Sequence, residues 1–469
     1  MEPYTLVKTK YKFPPNLVER SYQISTVNAL GPLPAAGYYA EVGTGKTFMA
    51  TVSALYKKET EGRRTIVVAP PILVKSWCKW LAKIEGVSVT DYRGTPKQRV
   101  NKDLGADFVV MSIQVFKNDY ERVVEGCPPE TSTLVLDEAT AVKNIESQNY
   151  QLVKMYRDLG AHFMALTGTP LNTPNDAYAY IKLIAPLVYR NYRAFELMHV
   201  EKTDFFGKAK EWKNLDFLKE NMTINSVRIL KKDALTLPDA VFDPIFYDLS
   251  EKHYQLYRQL VEDQLIELPD GNIDDISANK IYTCSQQIIW NPAYFSQDPD
   301  FRPAGFELLD TLVEELEMRS AHGRKLIIFA NFRITINTIA HYLSFLKPGI
   351  INGAVTPSFK QESFERFVDD PLRKLLIIQP TSGGKGLDGM QEVCSDAIFV
   401  ESPASPIDFE QCTGRIDRSG QSTAPHFRLA VASRTIEVKR HNDLLHKDET
   451  AGYVQGTKES LRKALYGEA

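Results

Sequence analysis

The sequence predicts an α/β protein built from two parallel sheets whose faces are covered by helices. Short apolar, β-branched segments alternate with segments of helical periodicity from residue 64 to residue 138, and the same alternation returns from residue 325 to residue 379. This alternation is typical of parallel sheets with helices on both faces. A chain of 469 residues is too long for one core, so two or three domains are expected.

The composition is that of an ordinary globular chain. With 56 Lys+Arg against 59 Asp+Glu the net charge is -3, so nucleic-acid binding requires a local groove. The five cysteines show no metal-ligand spacing, which predicts a reducing compartment and no structural metal. No apolar run reaches about 18 residues, and the chain does not start with a leader-like segment. We therefore expect a cytoplasmic monomer without a membrane span.

The helices and strands of the first half are predicted from hydrophobic periodicity and from residues that end these elements. Helical spacing predicts helices at residues 17–30, 48–58 and 72–84. Short apolar runs predict strands at residues 64–69, 87–92, 107–112, 133–138 and 163–165. The prolines at 70 and 71 end the first of these strands.

A glycine-rich segment, Ala40 to Thr47, predicts a loop that closes around phosphates. Its glycines allow the backbone to turn N–H groups toward an anion, Lys46 brings a charge for the β/γ-phosphates, and Thr47 brings a hydroxyl for Mg²⁺. Ala40 stands where the strict pattern has glycine, and an ordinary glycine-rich turn is the alternative. The residues of this loop that we expect to bind ATP are Gly43, Thr44, Gly45, Lys46 and Thr47.

Three other segments of this half carry polar groups suited to a nucleotide site. Asp137 and Glu138 follow an apolar strand, where Asp137 can hold Mg²⁺ through water and Glu138 can orient or deprotonate the attacking water; a helix-capping pair is the alternative. The hydroxyls around Gly168 suit a γ-phosphate sensor or a plain turn. Gln23, near Arg20, has the paired donor and acceptor that reads an adenine edge, although a surface glutamine is the commoner case.

The second half repeats the alternation. Strands are predicted at residues 325–330, 349–353 and 374–379, and helices at residues 335–345 and 361–368. A glycine-rich turn, residues 381–388, follows the third strand, and a polar segment with two arginines occupies residues 411–421.

Five segments, taken in their order along the chain, resemble lobe one of the superfamily-two helicases. They are Gln23, Gly43-Thr44-Gly45-Lys46-Thr47, Ala69-Pro70, Asp137-Glu138-Ala139-Thr140 and Leu166-Thr167-Gly168-Thr169-Pro170. Trp77 and Trp80 after Pro70, and the segment Arg228 to Pro238, are similar to the Swi/Snf-type branch. The resemblance spans about residues 17 to 440 and implies two RecA-like lobes with ATP and Mg²⁺ in the cleft between them. It also places the nucleotide near Arg20 and Gln23 and nucleic acid near Pro70.

The resemblance also implies a domain layout. Residues 1–235 correspond to the ATP-binding lobe with a helical protrusion at about 175–228, and residues 236–445 to the second lobe with a helical protrusion at about 250–296. Residues 446–469 are expected to form a tail or brace. Asp270, Asp274, Asp275 and Lys280 invite comparison with a nuclease centre, but the surrounding Pro-Asp-Gly-Asn is turn chemistry.

The second-lobe motifs carry departures from the family pattern. Residues 381–388 resemble the motif that contacts the nucleic-acid backbone through Thr381, Gly384 and Lys385 and the nucleotide through Gly386 and Asp388. Asp388 stands where asparagine is usual, which puts that contact in doubt.

Residues 411–421 resemble the family's arginine motif, with Asp417 where histidine is common. On a helix, Arg415 and Arg418 share one face and can serve as arginine fingers toward the γ-phosphate. A solvated helix face is the alternative.

The hypothesis for function is an ATP-dependent translocase on double-stranded DNA, of the compact bacterial or viral kind. A strand-separating DNA or RNA helicase is one alternative. An ATP-switched subunit that displaces a protein partner, or the motor subunit of a nuclease, is another. The identity of any protein partner stays open.

Overall fold

The computed structural model describes residues 1–15, 17–171, 173–203, 209–235, 237–266, 275–296, 298–318, 325–383, 389–403, 406–446 and 465–467. The chain divides into two compact units, Met1–Thr236 and Leu237–Ala469. Each unit is organised around one parallel sheet with helices packed against it. The predicted α/β class with two parallel sheets is confirmed.

The strands of the first unit are β1 (Ala35–Ala40), β2 (Arg64–Ala69), β3 (Val89–Asp91), β4 (Phe108–Ser112), β5 (Ser132–Asp137), β6 (His162–Thr167), β7 (Val200–Thr203), β8 (Ala209–Trp212) and β9 (Ser226–Ile229). Its helices are α1 (Pro3–Lys10), α2 (Ser21–Leu30), α3 (Lys46–Glu61), α4 (Pro71–Leu81), α5 (Pro96–Arg99), α6 (Ile113–Asn118), α7 (Tyr120–Gly126), α8 (Gln148–Asp158), α9 (Asp176–Ile184), α10 (Tyr192–His199), α11 (Leu215–Thr223) and α12 (Lys231–Ala234). The sheet order is β3-β4-β2-β5-β6-β1-β9, with parallel pairing between all neighbours.

The central strands of this sheet are apolar on both faces. Along β2, Ile66 and Val68 belong to one hydrophobic layer and Val67 and Ala69 to the other, because successive side chains point to opposite faces. Helices cover both layers, which is why these strands appear in the sequence as continuous apolar runs and not as alternating patterns.

The protrusion predicted as helical at residues 175–228 is not purely helical. Between α10 and α11, strands β7 and β8 form an antiparallel pair in which Lys202 and Glu211 make an ion pair of 2.7 Å. Trp212 packs its ring against Phe195, which ties this pair to α10. The last strand, β9, pairs with β1 and completes the main sheet. The expectation of few strands here was wrong because cross-strand pairs and packing outweigh local propensity.

The strands of the second unit are β10 (Val241–Tyr247), β11 (Leu326–Phe329), β12 (Gly349–Ile351), β13 (Leu375–Ile378), β14 (Asp396–Phe399) and β15 (His426–Ala432). Its helices are α13 (Glu251–Ile266), α14 (Asp275–Trp290), α15 (Pro292–Ser296), α16 (Phe306–Met318), α17 (Arg333–Tyr342), α18 (Pro357–Asp369), α19 (Pro380–Gly383), α20 (Met390–Val393), α21 (Pro406–Thr413) and α22 (Ile436–His446). The sheet order is β10-β15-β14-β11-β13-β12, again with parallel neighbours.

The segment predicted as the second protrusion, residues 250–296, contains three helices, α13, α14 and α15. Asp270 and Asp274, from the nuclease comparison, lie outside the described residues. Close to the chain's end, Leu465 is buried and its carbonyl accepts a bond of 2.6 Å from the Tyr257 hydroxyl on α13. Within the described ranges no helix is both long and apolar enough to cross a membrane.

Candidate nucleotide site

Four of the predicted segments emerge at one edge of the first sheet. Strands β2, β5, β6 and β1 are neighbours in that order, and all run in the same direction, so their carboxyl ends meet at one edge. The register pairs Asp137 with Leu166 and Tyr39 with Thr167. The segment beginning at Pro70, the acidic pair, the Gly168 turn and the phosphate loop therefore lie side by side, although they span almost 130 residues of sequence.

The phosphate loop has the backbone conformation that its glycines predict. Gly43 and Gly45 have φ of 86° and 89°, in the left-handed region that glycine adopts without strain. Helix α3 begins directly afterwards at Lys46, with Gly45 as its N-cap. A helix N-terminus behind a loop of turned N–H groups favours an anion. The loop therefore fits the triphosphate of ATP.

The side chains of the loop differ in burial and in hydrogen-bond partners. Thr44 is fully buried and its hydroxyl donates to the Glu41 carbonyl at 2.7 Å, so it stabilises the turn from within. Lys46 Nζ donates to the Ala40 carbonyl at 2.6 Å, which holds its ammonium group over the loop. Thr47 lies in the first turn of α3 and is partly exposed. Lys46 and Thr47 are thus placed at the mouth of the loop.

Gln23 supports the loop from the neighbouring helix α2. It is buried, its Nε2 donates to the Thr44 carbonyl at 3.1 Å, and its Oε1 accepts from the Arg20 backbone N–H at 3.1 Å. The Tyr22 hydroxyl donates to the same Thr44 carbonyl at 2.9 Å. Both ends of the Gln23 amide are thereby used within the protein. Recognition of adenine by Gln23 and Arg20 stays a prediction.

Asp137 ends β5 as a buried carboxylate, 8% exposed. Its Oδ2 accepts from Trp77 Nε1 at 2.7 Å, and its Oδ1 accepts from the Glu138 N–H at 3.0 Å. Burial and then the Glu138 carboxylate raise the pKa of Asp137 to about 6, against the opposing effects of the Trp77 indole and Lys46. A carboxylate and a threonine hydroxyl are hard oxygen donors of the kind that Mg²⁺ prefers, so Asp137 and Thr47, which lie at the same edge of the sheet, fit that ion by their chemistry.

Glu138 occupies a strained backbone position. Its φ of 52° and ψ of 58° lie in the left-handed region, which costs a residue with a Cβ atom about 1–2 kcal/mol. Its side chain is partly exposed, next to the buried Asp137. Strain of this kind persists where the surrounding structure imposes it and is concentrated at functional sites. The strain therefore supports an active-site role for Glu138.

A junction around Glu41 was not anticipated from the sequence. Its Oε2 accepts from the Lys231 N–H at 2.7 Å, at the start of α12, and its Oε1 lies 3.4 Å from Arg228 Nη2. Arg228 also donates to the carbonyl of Gly168 and, at 3.4 Å, to that of Tyr39. Glu41 and Arg228 belong to segments that the sequence analysis singled out, but their ion pair depends on the position of β9 beside β1.

The prediction that Arg415 and Arg418 of the second unit share one face of a helix was wrong. Helix α21 ends at Thr413, and both arginines lie on the turns that follow. The N–H of Arg415 bonds to the Cys412 carbonyl at 3.1 Å and that of Arg418 to Ile416 at 3.1 Å, so helical spacing is lost. Gly414 follows the last helical residue and is a weak helix former. The buried Cys412 and Ile416 side chains anchor the turn.

The structure describes only part of the glycine-rich turn predicted at residues 381–388. Thr381 lies in the short helix α19, directly after β13. Gly384, Lys385, Gly386 and Asp388 lie outside the described residues, so their roles stay predictions.

The second unit also contains two buried carboxylates, and the sequence did not predict that they lie near each other. Glu401 Oε2 accepts from the Asn331 N–H at 2.7 Å and its Oε1 from the Thr335 hydroxyl at 2.6 Å, at the start of α17. Glu437 accepts from Gln286 Nε2 at 2.9 Å. Burial is the main cause that raises the pKa of Glu401 to about 8 and raises the pKa of Glu437. A single acidic residue after an apolar strand gives no sequence signal for such a pair.

Comparison with known proteins identifies the family to which this chain is similar. The model of the SNF2-related domain matches residues 39–291, more than half of the chain. The Bacillus subtilis protein YwqA, whose name describes an ATP-dependent helicase/translocase, is 25% identical over 443 residues, covering 90% of this chain and 47% of that protein. A DNA repair and recombination protein RAD54-like of Drosophila pseudoobscura pseudoobscura is 23% identical over 487 residues, 90% of this chain and 61% of that protein.

A solved structure of the Sulfolobus solfataricus SWI2/SNF2 ATPase core with double-stranded DNA is also similar, with a TM-score of 0.43 at 20% identity, covering 97% of this chain and 98% of the other. The chain spans 47% of YwqA, about half its length. The family model covers the phosphate loop, the acidic pair and the Gly168 turn together. The chain belongs to the SNF2-related family.

Proposed function

We propose that this protein is a nucleic-acid-dependent ATPase that uses ATP to translocate on double-stranded DNA. The observation that carries the proposal is the convergence of the phosphate loop, the acidic pair, the Gly168 turn and the Pro70 segment at one edge of the first sheet. That edge combines a loop suited to a triphosphate, a carboxylate suited to magnesium, a candidate base and an expected nucleic-acid contact. Its arrangement suits phosphoryl transfer that responds to nucleic acid.

Each residue at this edge has a role that its position supports. Lys46 and the loop N–H groups hold the β/γ-phosphates. Thr47 and Asp137 would hold Mg²⁺, which neutralises phosphate charge when bound. Glu138, partly exposed next to Asp137, orients the attacking water or accepts its proton.

The second unit completes the site in this proposal. Arg415 and Arg418 supply cationic groups that stabilise charge on the γ-phosphate, in the way that arginine fingers do. Hydrolysis then depends on the approach of the two units, and nucleic acid bound to both would favour that approach. The family membership and the DNA-repair name of one relative support DNA as the substrate.

The direct test is the ATPase rate of the purified chain with double-stranded DNA, single-stranded DNA and RNA side by side. We expect stimulation mainly by double-stranded DNA, and displacement of a triplex-forming strand without separation of the duplex. Stimulation by RNA alone, or unwinding of a duplex, would support a helicase instead. No stimulation by any nucleic acid would overturn the proposal.

Three variants test the assigned roles. Lys46→Ala is expected to lose tight ATP binding or turnover, whereas Glu138→Gln is expected to bind ATP and hydrolyse it at least 100-fold more slowly, within the range typical of a lost general base. Arg418→Ala is expected to bind ATP to the first unit normally and to lose DNA-stimulated hydrolysis. Intact DNA-stimulated hydrolysis in Arg418→Ala would contradict a site shared by the two units.

A further inference from the structure

Helix α4 carries two tryptophans that pack into one hydrophobic layer of the first unit. Trp77 is 3% exposed and lies in the buried stripe of this helix with Val74 and Leu81, at the spacing of one helical face. Trp80 is partly buried in the same hydrophobic layer. An indole N–H in a buried position requires an acceptor, so the direction of each N–H is informative.

The Trp77 indole is bonded to the carboxylate expected to bind magnesium. Its Nε1 donates to Asp137 Oδ2 at 2.7 Å, and both side chains are buried. The Glu138 N–H bonds the other oxygen, Oδ1, at 3.0 Å. A carboxylate has about four acceptor positions, so one donor on each oxygen fixes its plane and leaves capacity for a metal-bound water. The indole therefore determines the orientation of the carboxylate.

The Trp80 indole has a different acceptor. Its Nε1 donates to Thr51 Oγ1 at 3.0 Å, and the Thr51 hydroxyl donates to the Thr47 carbonyl at 2.7 Å. This contact reaches the backbone of α3 and does not involve Asp137. The two tryptophans thus share a helix, a residue type and a hydrophobic layer, but only Trp77 contacts the carboxylate.

Helix α4 also begins at the expected nucleic-acid contact. Pro70 is its N-cap, directly after β2 at the functional edge of the sheet. A shift of α4 on nucleic-acid binding would act on Asp137 through a single hydrogen bond.

We propose that Trp77 is the positioning residue that holds Asp137 in its magnesium-binding orientation and links that carboxylate to the nucleic-acid segment at Pro70. The inference rests on the proposed function, because it takes Asp137 as a magnesium-binding residue. Groups that orient a metal ligand in this way contribute roughly 10–100-fold to metal affinity or activity.

The test compares Trp77→Phe with the matched control Trp80→Phe in the full chain. The apparent Kd of the fluorescent, non-hydrolysable analogue mant-AMPPNP is measured with Mg²⁺ and with EDTA. The Kd in EDTA divided by the Kd in Mg²⁺ measures how much the metal strengthens nucleotide binding. We expect Trp77→Phe to lower this ratio about tenfold and Trp80→Phe to retain the wild-type ratio. The Mg²⁺ concentration for half-maximal ATP hydrolysis should rise by a similar factor in Trp77→Phe alone.

An unchanged ratio in Trp77→Phe, or equal weakening of binding with Mg²⁺ and with EDTA, overturns the positioning role, since the second result indicates a purely structural effect. Wild-type protein that binds no nucleotide overturns the proposed function and this inference with it. A normal wild-type ATPase with identical Trp77→Phe and Trp80→Phe behaviour overturns only the inference.

A second measurement applies if Trp77→Phe does not fold. The chain has 4 tryptophans, so ¹⁵N-tryptophan labelling gives four indole resonances, assigned by elimination with Trp80→Phe, Trp212→Phe and Trp290→Phe. The Trp77 indole resonance of the wild-type chain should shift with Mg²⁺ plus AMPPNP and remain in place with AMPPNP plus EDTA. The same response under both conditions contradicts the inference.

Discussion

At the residue scale, the backbone conformation of Glu138 predicts that one substitution can increase stability and abolish activity. Its left-handed conformation costs about 1–2 kcal/mol for a residue with a Cβ atom, whereas asparagine tolerates this region better. We expect Glu138→Asn to raise the free energy of unfolding by up to about 1 kcal/mol and to abolish ATP hydrolysis. Urea unfolding and a phosphate-release assay measure the two effects.

Glu138→Gln is the matched control for this prediction. It removes the carboxylate but retains the shape and the backbone preference of the side chain, so its hydrolysis should fall while its stability stays within about 0.5 kcal/mol of wild type. Equal stability of the asparagine and glutamine variants would show that the strain at this position is not relieved by asparagine.

At the element scale, Glu41 joins the phosphate loop to the start of α12 and to Arg228. Glu41→Ala removes the acceptor of the Lys231 N–H, a loss comparable to that of a helix cap, about 1 kcal/mol. We expect a small decrease in thermal stability and an ATP affinity several-fold weaker, because the loop loses an anchor. Calorimetry and nucleotide titration measure these changes.

Glu59→Ala provides the control for Glu41. Glu59 lies on the same helix as Lys46, and it accepts from Lys10 Nζ and the Tyr11 hydroxyl, each at 2.6 Å. Its loss should decrease stability without a change in ATP affinity. If both variants weakened ATP binding equally, the effect of Glu41 would be a general destabilisation and not support of the loop.

The elements also show where sequence reasoning succeeded. Strands such as β2 and β5 contain continuous apolar runs, residues 66–69 and 134–136, that are followed by prolines or acidic residues, so their existence and the groups at their ends were predictable. Edge strand β10 was missed because it is largely exposed and contains Pro244, which weakens the strand signal. Its pairing with β15 depends on residues almost 200 positions away.

The candidate site shows the same division. The residue types of the phosphate loop and the acidic pair were predictable, because short-range chemistry determines them. The bond between Trp77 and Asp137 and the contacts of Arg228 were not, because they depend on which strands are neighbours. The helical face assigned to Arg415 and Arg418 failed because helix termini are decided by capping and by buried anchors such as Ile416.

At the scale of the whole molecule, the buried pair Glu401 and Glu437 makes stability depend on pH. The pKa of Glu401 rises from 4.5 to about 8 on folding, so between these values the folded chain retains a proton that the unfolded chain loses. The contribution of Glu401 to stability is therefore most favourable below the unfolded value and falls as pH rises toward about 8, by at most about 1.4 kcal/mol per pH unit for one proton.

Glu437→Gln tests this dependence. The variant removes one titrating carboxylate and the neighbouring charge that helps to raise the pKa of Glu401. Urea unfolding at pH 5.5 and pH 7.5 should show a smaller loss of stability in the variant than in the wild type. Parallel behaviour of the two proteins would indicate that the pair does not titrate in this range.

The sheet order of the first unit has a consequence for synthesis. Strand β1 precedes the phosphate loop, but its two neighbours are β6 and β9, which end at Thr167 and Ile229. At a translation rate of roughly 5–20 residues per second, the interval between synthesis of the loop and of β9 is on the order of 10–40 s. A nascent chain therefore carries this glycine-rich loop without both strands that flank β1 for that time, and ATP can stabilise the completed sheet as a ligand only after nearly half of the chain has been made.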